Sequence, residues 1–534
     1  MEEINEILFS NNPPLLIIIL ITTLIILFST ISFLKKQNKK QSNKNRAATF
    51  PLPPGPWKLP IIGNIHQSSS ALIHRRFAEL SQHYGPVMHL QLGETSNVVL
   101  SSPESASEFL KTHDQNFAIR PYMPSGSIIC YGGRDIVFSS EGDYWRRMKR
   151  ICTTELLSKK RVTSLRFIRE EEADKLVQLI GRESAAGGGG AAVNLSRLLF
   201  AVSNTMTSRT AFGKVRELEE SFLPVMHRIL QTLGGFSIGD LFPSNRFLRL
   251  ISGTERELNK LHQEIDVIIQ GIVDEHLSRR RRRETEHHDI AEAAEEDDND
   301  EDLVDVLLAS TNNHLEAKAI IMIIHYALQD MFLAGGETSP VTVAWAMSEL
   351  MRNPEKMEKA QREARQLFDR KGGVVDESCL DELHYLKSVI KETLRMHPAV
   401  PLSIPREGVE AVVINGYRIP TKTRVIVNYW AIGRDPSYWT QPDEFMPERF
   451  LDSSVDYKGF DFQLIPFGAG RRLCPGINYG IAVVSLLLAN LIYHFDWKLP
   501  NQLKPQDLDM FKNLGVSASR KNDLYLNPIP YHAP

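Results

Sequence analysis

Residues 466–476 read PFGAGRRLCPG, and three chemistries compete for them. A loop that cradles phosphate needs G-x-G-x-x-G between a strand and a helix. Here Gly468 and Gly470 are followed by Arg471, Arg472 and Leu473, so the third glycine is missing. A loop presenting a nucleophilic cysteine needs a histidine base that one sequence does not place in space, and Pro475-Gly476 gives no signature for it. A loop presenting a thiolate to a metal accounts for more of the letters. Gly468, Gly470 and Gly476 let the backbone turn tightly and approach a flat ligand. Backbone N–H groups and a following helix N-terminus temper the thiolate of Cys474. Arg472 supplies a cation for carboxylates at the ligand's edge, and Phe467 an apolar wall.

Around this loop lie 534 residues, 42% hydrophobic, enough to bury a large core. A net charge of −3 gives no bulk electrostatic case for nucleic acid. Cys130, Cys152, Cys379 and Cys474 stand far apart, without CxxC pairs, as in a reducing compartment. Residues 15–34 (LLIIILITTLIILFSTISFL) carry no charge over twenty positions, the length a helix needs to cross a bilayer core of about 30 Å. Six basic residues follow between Lys35 and Arg46, and acidic ones precede. That asymmetry predicts residues 1–14 in the lumen, 15–34 as a retained anchor and everything after it in the cytosol.

Residues 35–56 form a basic linker ending in a proline-rich spacer. Residues 57–534 show no further break and are expected to fold as one unit, mainly α with small β-sheets. Two insertions interrupt it. SAAGGGGAA (184–192) reads as a flexible linker, and RRRRRETEHHDIAEAAEEDDNDED (279–302) as a solvated, partly disordered loop whose opposite charges compensate. A long helix is expected over 317–351 and a second over 383–397, which ends at a proline. Short strands are expected at 98–100, 417–419 and 424–427.

FGAGRRLCPG resembles F-x-x-G-x-R-x-C-x-G, the haem-binding loop of the cytochrome P-450 haem-thiolate monooxygenases. The resemblance extends over essentially all of 51–534, with the family's other motifs in order. It implies a cytochrome P-450 fold carrying heme b, with Cys474 as axial ligand to iron and Arg472 at a haem propionate. Phe467, Gly468 and Gly476 shape the loop around the haem. AGGETS (334–339) resembles the oxygen-binding segment, which makes Thr338 and Glu337 the alcohol and acid that manage protons. Glu392-Thr-Leu-Arg395 with Pro447-Glu448-Arg449-Phe450 resembles the family's E-x-x-R and PERF lock, structural rather than catalytic. Trp145-Arg-Arg-Met-Lys149 resembles W-x-x-x-R, whose last residue binds a propionate. Lys149 keeps the charge and loses the fork. Arg406, in PLSIPRE, matches another propionate-binding position. Pro340 stands inside the long helix and cannot donate to the carbonyl of Gly336, so a local opening is expected there.

Stretches such as PPGPWKLPIIGN, FAIRP and YHFDWKLP are similar to the plant microsomal group that oxidises specialised metabolites. The resemblance implies hydroxylation of a terpenoid scaffold, with an alkaloid or phenolic substrate as the alternative. An O2-independent haem isomerase or dehydratase, or a haem sensor, would have less reason to keep Glu337-Thr338. Pocket residues expected by resemblance include Ile128, Met331, Ala334, Gly335, Val400, Ile404 and Val516. The chain shows no flavin or nicotinamide fingerprint, so electrons from NADPH are expected through a membrane-bound NADPH-cytochrome reductase, with cytochrome b5 as an optional second donor. The expected setting is the endoplasmic reticulum membrane, with a hydrophobic small molecule and membrane lipid as the other partners. The basic residues around 146–161 would suit an acidic reductase.

Overall fold

The computed structural model describes residues 50–531, apart from 69–71, 187–190, most of 214–235 and of 287–313, and Leu514. The expected anchor at 15–34 lies outside the described residues. The first part runs α1 (Ile73–Tyr84), β1 (Val87–Leu92), β2 (Thr95–Leu100), α2 (Asp143–Ile151), α3 (Arg166–Ala186), β3 (Val193–Asn194), α4 (Leu195–Phe212) and α5 (Thr254–Glu286). Then come α6 (His314–Arg352), α7 (Pro354–Arg370), α8 (His384–Met396), β4 (Arg406–Glu407), β5 (Val412–Ile414), β6 (Tyr417–Ile419) and β7 (Arg424–Val427). The chain closes with α9 (Ile477–His494), β8 (Phe495–Lys498) and β9 (Tyr525–Pro530). The helices dominate, as expected. The arginine run at 279–283 continues α5 to Glu286 rather than opening a loop, because Glu275 one turn earlier pairs with Arg279 and supports the helix. The acidic tract after it lies outside the described residues.

One sheet has the order β1-β2-β7-β4. β2 runs antiparallel to β1 and parallel to β7, with Val98 opposite Val425. A second sheet, β3-β9-β8, sews the C-terminus to the helical body. β5 and β6 form a hairpin over Asn415-Gly416, both at positive φ, the backbone a tight right-twisted hairpin requires. Helix α9 is the one described helix long and apolar enough to cross a membrane. Most of it is buried, however, and it packs on α6, α3 and α7, so it is a core helix.

Helix α6 passes through the centre, against α4 on one side and α9 on another. Its second half is buried all round, with Trp345, Met347 and Leu350 excluded from solvent. The opening expected at Pro340 does not appear as a break, and the helix continues through it to Arg352. Ser339 and Val341 on either side are buried, and the Thr342 hydroxyl donates to the Thr338 carbonyl at 2.9 Å, so packing and a side-chain donor hold the turn together.

Burial forces pairing of the charges on α8. Glu392 and Arg395 are 0% and 1% exposed and face each other through two bonds, Nε to Oε2 at 2.7 Å and NH2 to Oε1 at 2.8 Å. Arg449 reaches the same carboxylate at 3.0 Å, and the Met446 N–H donates to it at 2.8 Å. Arg395 also donates to the carbonyls of Gly433 and Pro442, at 2.6 and 2.7 Å. One helix thereby gathers the loops at 433–449. Breaking such a set strands a charge, so Arg395→Ala is expected to destabilise the protein by about 3–5 kcal/mol, read as a fall in thermal midpoint.

A second buried pair links α6 to the turn after α8. Glu349 Oε1 and His397 Nε2 stand 2.7 Å apart, and His397 stacks on Trp345 with ring centroids 4.4 Å apart. Burial pushes Glu349 up to about 7 and drives His397 well below its ordinary value. Between about pH 4.5 and 6.5 the unfolded pair holds its one proton on histidine and the folded pair holds one on glutamate, so the pair gives stability no pH slope. In Glu349→Gln only the histidine remains. Its folded value is depressed, so stability is lost as pH falls below about 6.5, by about 1.4 kcal/mol per pH unit relative to the parent. Denaturant unfolding of both proteins from pH 5 to 7 checks this.

Candidate functional site

The loop quoted at the outset takes its shape from glycine. Gly468 and Gly470 sit at φ +73° and +67°. A methyl group on Gly470 would fall 2.5 Å from the Leu110 carbonyl oxygen and 2.5 Å from Asp114. Inside the turn the Cys474 N–H donates to the Phe467 carbonyl at 3.1 Å, and Phe467 packs edge-on against Tyr457. The Cys474 thiol stands just before α9. Burial pushes it above its ordinary value, opposed by the Gly476 N–H that points at the sulfur and by the positive charge of Lys149. Those two groups stabilise a thiolate once a metal cation displaces the proton. The other three cysteines are buried elsewhere, and Cys130 and Cys152 are pushed upward by burial with no N–H or cation opposing it.

Four cations crowd beside the loop. Arg472 lies 4.1 Å over the Trp145 ring and donates to the carbonyls of Ala118, Ile136 and Ser139. Lys149 approaches the same indole from 5.3 Å and donates to the Arg471 carbonyl. Arg406 pairs with Asp114 at 3.0 Å, and Arg120 donates to the carbonyls of Val137 and Ile404. The Trp145 N–H is taken by the Ile136 carbonyl at 3.0 Å, so the indole acts as a platform rather than as a donor to a ligand. Burial, and after it repulsion from the neighbouring arginines, depresses Arg120 and Lys149, and takes Arg472 to about 10. Arg406 is lowered by burial alone. This cluster is short of negative charge. Two carboxylates on one flat ligand would supply it, and a single thiolate above a backbone N–H would take that ligand's metal, so the residues present fit a haem.

A cavity of about 590 Å³ borders the residues that carry these carbonyls, since Val137, Phe138 and Ile404 belong to its wall. Glu337 and Thr338 line it from α6. The Thr338 hydroxyl donates to the Ala334 carbonyl at 2.7 Å, and the buried Glu337 carboxylate accepts from the Ser517 hydroxyl. Of the expected pocket residues, Ala334, Val400, Ile404 and Val516 line the cavity. Ile128, Met331 and Gly335 do not. Met331 is buried in the main core, Gly335 faces Thr207 and Tyr479 of neighbouring helices, and Ile128 packs against the core edge. Helical period explains the first two. Residues 330, 334, 337 and 338 share one face of α6, and 331 and 335 the next. Sequence reading placed Ser517 in a pocket segment without its bond to Glu337, and it passed over Arg120 and Asp330. Arg120 lay in the quoted FAIRP, but nothing there announced a buried cation.

A fold with a thiolate loop, an acid and alcohol on a central helix and a buried cationic cradle is matched by the Cytochrome P450 family pattern over residues 53–526. The chain belongs to the cytochrome P450 family. As a P450 it is a haem-thiolate monooxygenase, using dioxygen, a small-molecule substrate and electrons from a reductase partner. It is 48% identical over 490 residues to Cytochrome P450 71D10 of Glycine max, covering 92% of this chain and 93% of that one. It is 45% identical over 488 residues to premnaspirodiene oxygenase of Hyoscyamus muticus (90% and 93%) and 44% over 500 residues to salviol synthase of Salvia pomifera (94% and 96%). Among solved structures, a zebra fish cytochrome P450 with progesterone superposes with a TM-score of 0.68 over 86% of this P450 and all of its own chain, at 24% identity. Gly470 gives the direct test of the loop. Gly470→Ala is expected to leave the helical content of the P450 intact while lowering haem content several-fold, as read by the Soret-to-protein absorbance ratio, because the clash and the left-handed backbone act only on the loop.

Proposed function

We propose that this P450 hydroxylates a hydrophobic plant terpenoid, a sesquiterpenoid or diterpenoid, with NADPH as the electron source. The observation that carries the reading is the cavity wall. It is built mainly from aliphatic and aromatic side chains such as Leu241, Phe236, Val400 and Ile404, with Asp330, Glu337 and Thr338 as the polar residues at α6. Such a wall holds a hydrocarbon skeleton by shape and offers few fixed hydrogen bonds. Two of the relatives are named for terpenoid products or substrates, which supports the same class.

In this reading Cys474 would hold the haem iron through its sulfur, and Arg472, Lys149 and Arg406 would neutralise the haem carboxylates, with the Trp145 ring against the first two. The bound haem supplies dioxygen activation and hydrogen abstraction from an unactivated carbon. The chain's own work is electrostatic and steric. Gly476 N–H and Lys149 stabilise the thiolate. The apolar wall keeps water from the reacting carbon. The Thr338 hydroxyl, within reach of the cavity, presents a proton, and Glu337 replenishes it.

Residues 15–34 anchor the protein to the endoplasmic reticulum membrane as a single span, with residues 57–534 in the cytosol, where an NADPH-cytochrome reductase and cytochrome b5 can reach it. Phe50, Leu52, Trp57 and Ile61, which follow that segment in the sequence, are all more than half exposed. The deciding experiment is co-expression with a plant reductase and mass-spectrometric screening of terpene and alkaloid scaffolds. Hydroxylated terpenoid is expected, and turnover confined to alkaloids would replace the substrate class. The reduced carbon-monoxide spectrum of the parent is expected to be of the thiolate type and to vanish in Cys474→Ala. Its survival there would remove Cys474 from the role.

A further inference from the structure

Two acids outside the acid–alcohol pair face each other in the buried region between α6 and the loop at 135–139. Asp135 and Asp330 are 1% and 7% exposed. Asp330 Oδ2 accepts the Ile136 N–H at 2.7 Å, and Asp135 Oδ1 accepts the Phe138 N–H at 2.9 Å. Among the described residues, the remaining oxygens, Asp330 Oδ1 and Asp135 Oδ2, receive no N–H or O–H, the Cys130 thiol being the one donor beside Asp135, and the two carboxyls stand within hydrogen-bonding reach of each other. Two bare carboxylates cannot occupy that position, because each oxygen is an acceptor and the charges repel without water between them. A single proton between them turns the repulsion into a bond.

We infer that Asp330 and Asp135 share one proton, and that this proton fastens the propionate-side loop to the central helix. The neighbours decide which carboxyl holds it. Asp135 feels Arg120 and Arg472, which favour its ionised form, while Asp330 on α6 has no cation facing it among the groups that act on it. Cys130 and Cys152 complete the surroundings, the first donating its S–H toward Asp135. Burial pushes both thiols up, so neither brings a competing anion. Asp330 is therefore the donor and Asp135 the acceptor, and both are positioning residues.

What they position is the cradle. The Ile136 carbonyl takes Trp145 and Arg472, the Val137 carbonyl takes Arg120, and the Ser139 carbonyl takes Arg472. Through Ile136 N–H and Phe138 N–H the shared pair sets the height of those carbonyls over α6. Burial raises both carboxyls above their ordinary range. The contribution is therefore complete below that range and is lost as pH rises through the raised value, when the pair becomes doubly charged.

The inference rests on the haem reading above, so its test has one arm that is independent of haem function. In holoprotein carrying Glu349→Gln and Glu407→Gln, which removes two other raised carboxyls, infrared difference spectra at neutral pH are expected to show a protonated carboxyl stretch that Asp330→Asn abolishes. In the second arm, transfer of haem to a scavenging globin is followed from pH 6 to 10. The parent should lose haem faster as pH rises. Asp330→Asn, whose amide donates permanently to Asp135, should hold the neutral-pH rate throughout, and Asp330→Ala should lose haem about tenfold faster or more at every pH. Persistence of the carboxyl band in Asp330→Asn, or an alkaline profile there matching the parent, overturns the inference. Loss of the parent's thiolate spectrum would instead overturn the haem reading and leave the carboxyl band in place.

Discussion

Glu392 carries its charge where water does not reach, and two arginines have to meet it there, Arg395 one turn along the same helix and Arg449 from a distant loop. An unpaired carboxylate in that position would cost several kcal/mol, so α8 and the 440–449 loop are only stable together. That loop leads directly to the turn bearing Cys474, and α8 packs on both α6 and α9. The thiolate loop, the central helix and the helix behind the cysteine are thus referred to one buried ion cluster. The position of the sulfur relative to Glu337 and Thr338 follows from it.

The same rule, that buried charge must be answered, explains the rest of the site by its two exceptions. Around Trp145 four cations outnumber their acids, and the imbalance marks where an anionic ligand belongs. Between Asp135 and Asp330 two acids meet with no cation between them, and a proton fills the gap. The structure holds an excess of positive charge on the loop side and an excess of acid on the helix side of residues 135–139. Those few residues carry both through their backbone N–H and C=O groups, one set pointing each way. A segment without a catalytic side chain of its own therefore couples the propionate cradle to the helix that lines the cavity.

Much of this was legible where a short local pattern sufficed. Strands 417–419 and 424–427 were read at their observed bounds because turn residues flank them, and the central helix was read to within a few residues. Cys474, Arg472 and Glu392 stood out because they sit in short motifs that resemble those of the P450 family. Arg120 and Asp330 did not, nor did the partner of Ser517, because their meaning lies in residues more than a hundred positions away, such as Ile136 for Asp330 and Glu337 for Ser517. Met331 and Gly335 were assigned to the pocket by segment, when the helical period already separates them from Asp330 and Ala334. Pro340 was expected to open its helix because local sterics argue for it. Packing on both sides overrode that preference, as did helix continuation for the arginine run at 279–283.

The loop at 512–520 is pinned at several points to α6. The Trp345 N–H donates to the Ala518 carbonyl at 2.7 Å, Arg520 reaches Ser348 at 2.9 Å, and Lys512 lies over the Trp345 ring. Val516 projects into the cavity from between these posts. A side chain held this way can change size without moving the backbone that carries it, since the posts are made by its neighbours. Divergence in substrate preference can accumulate at this one position while the fold and the reaction chemistry stay as they are.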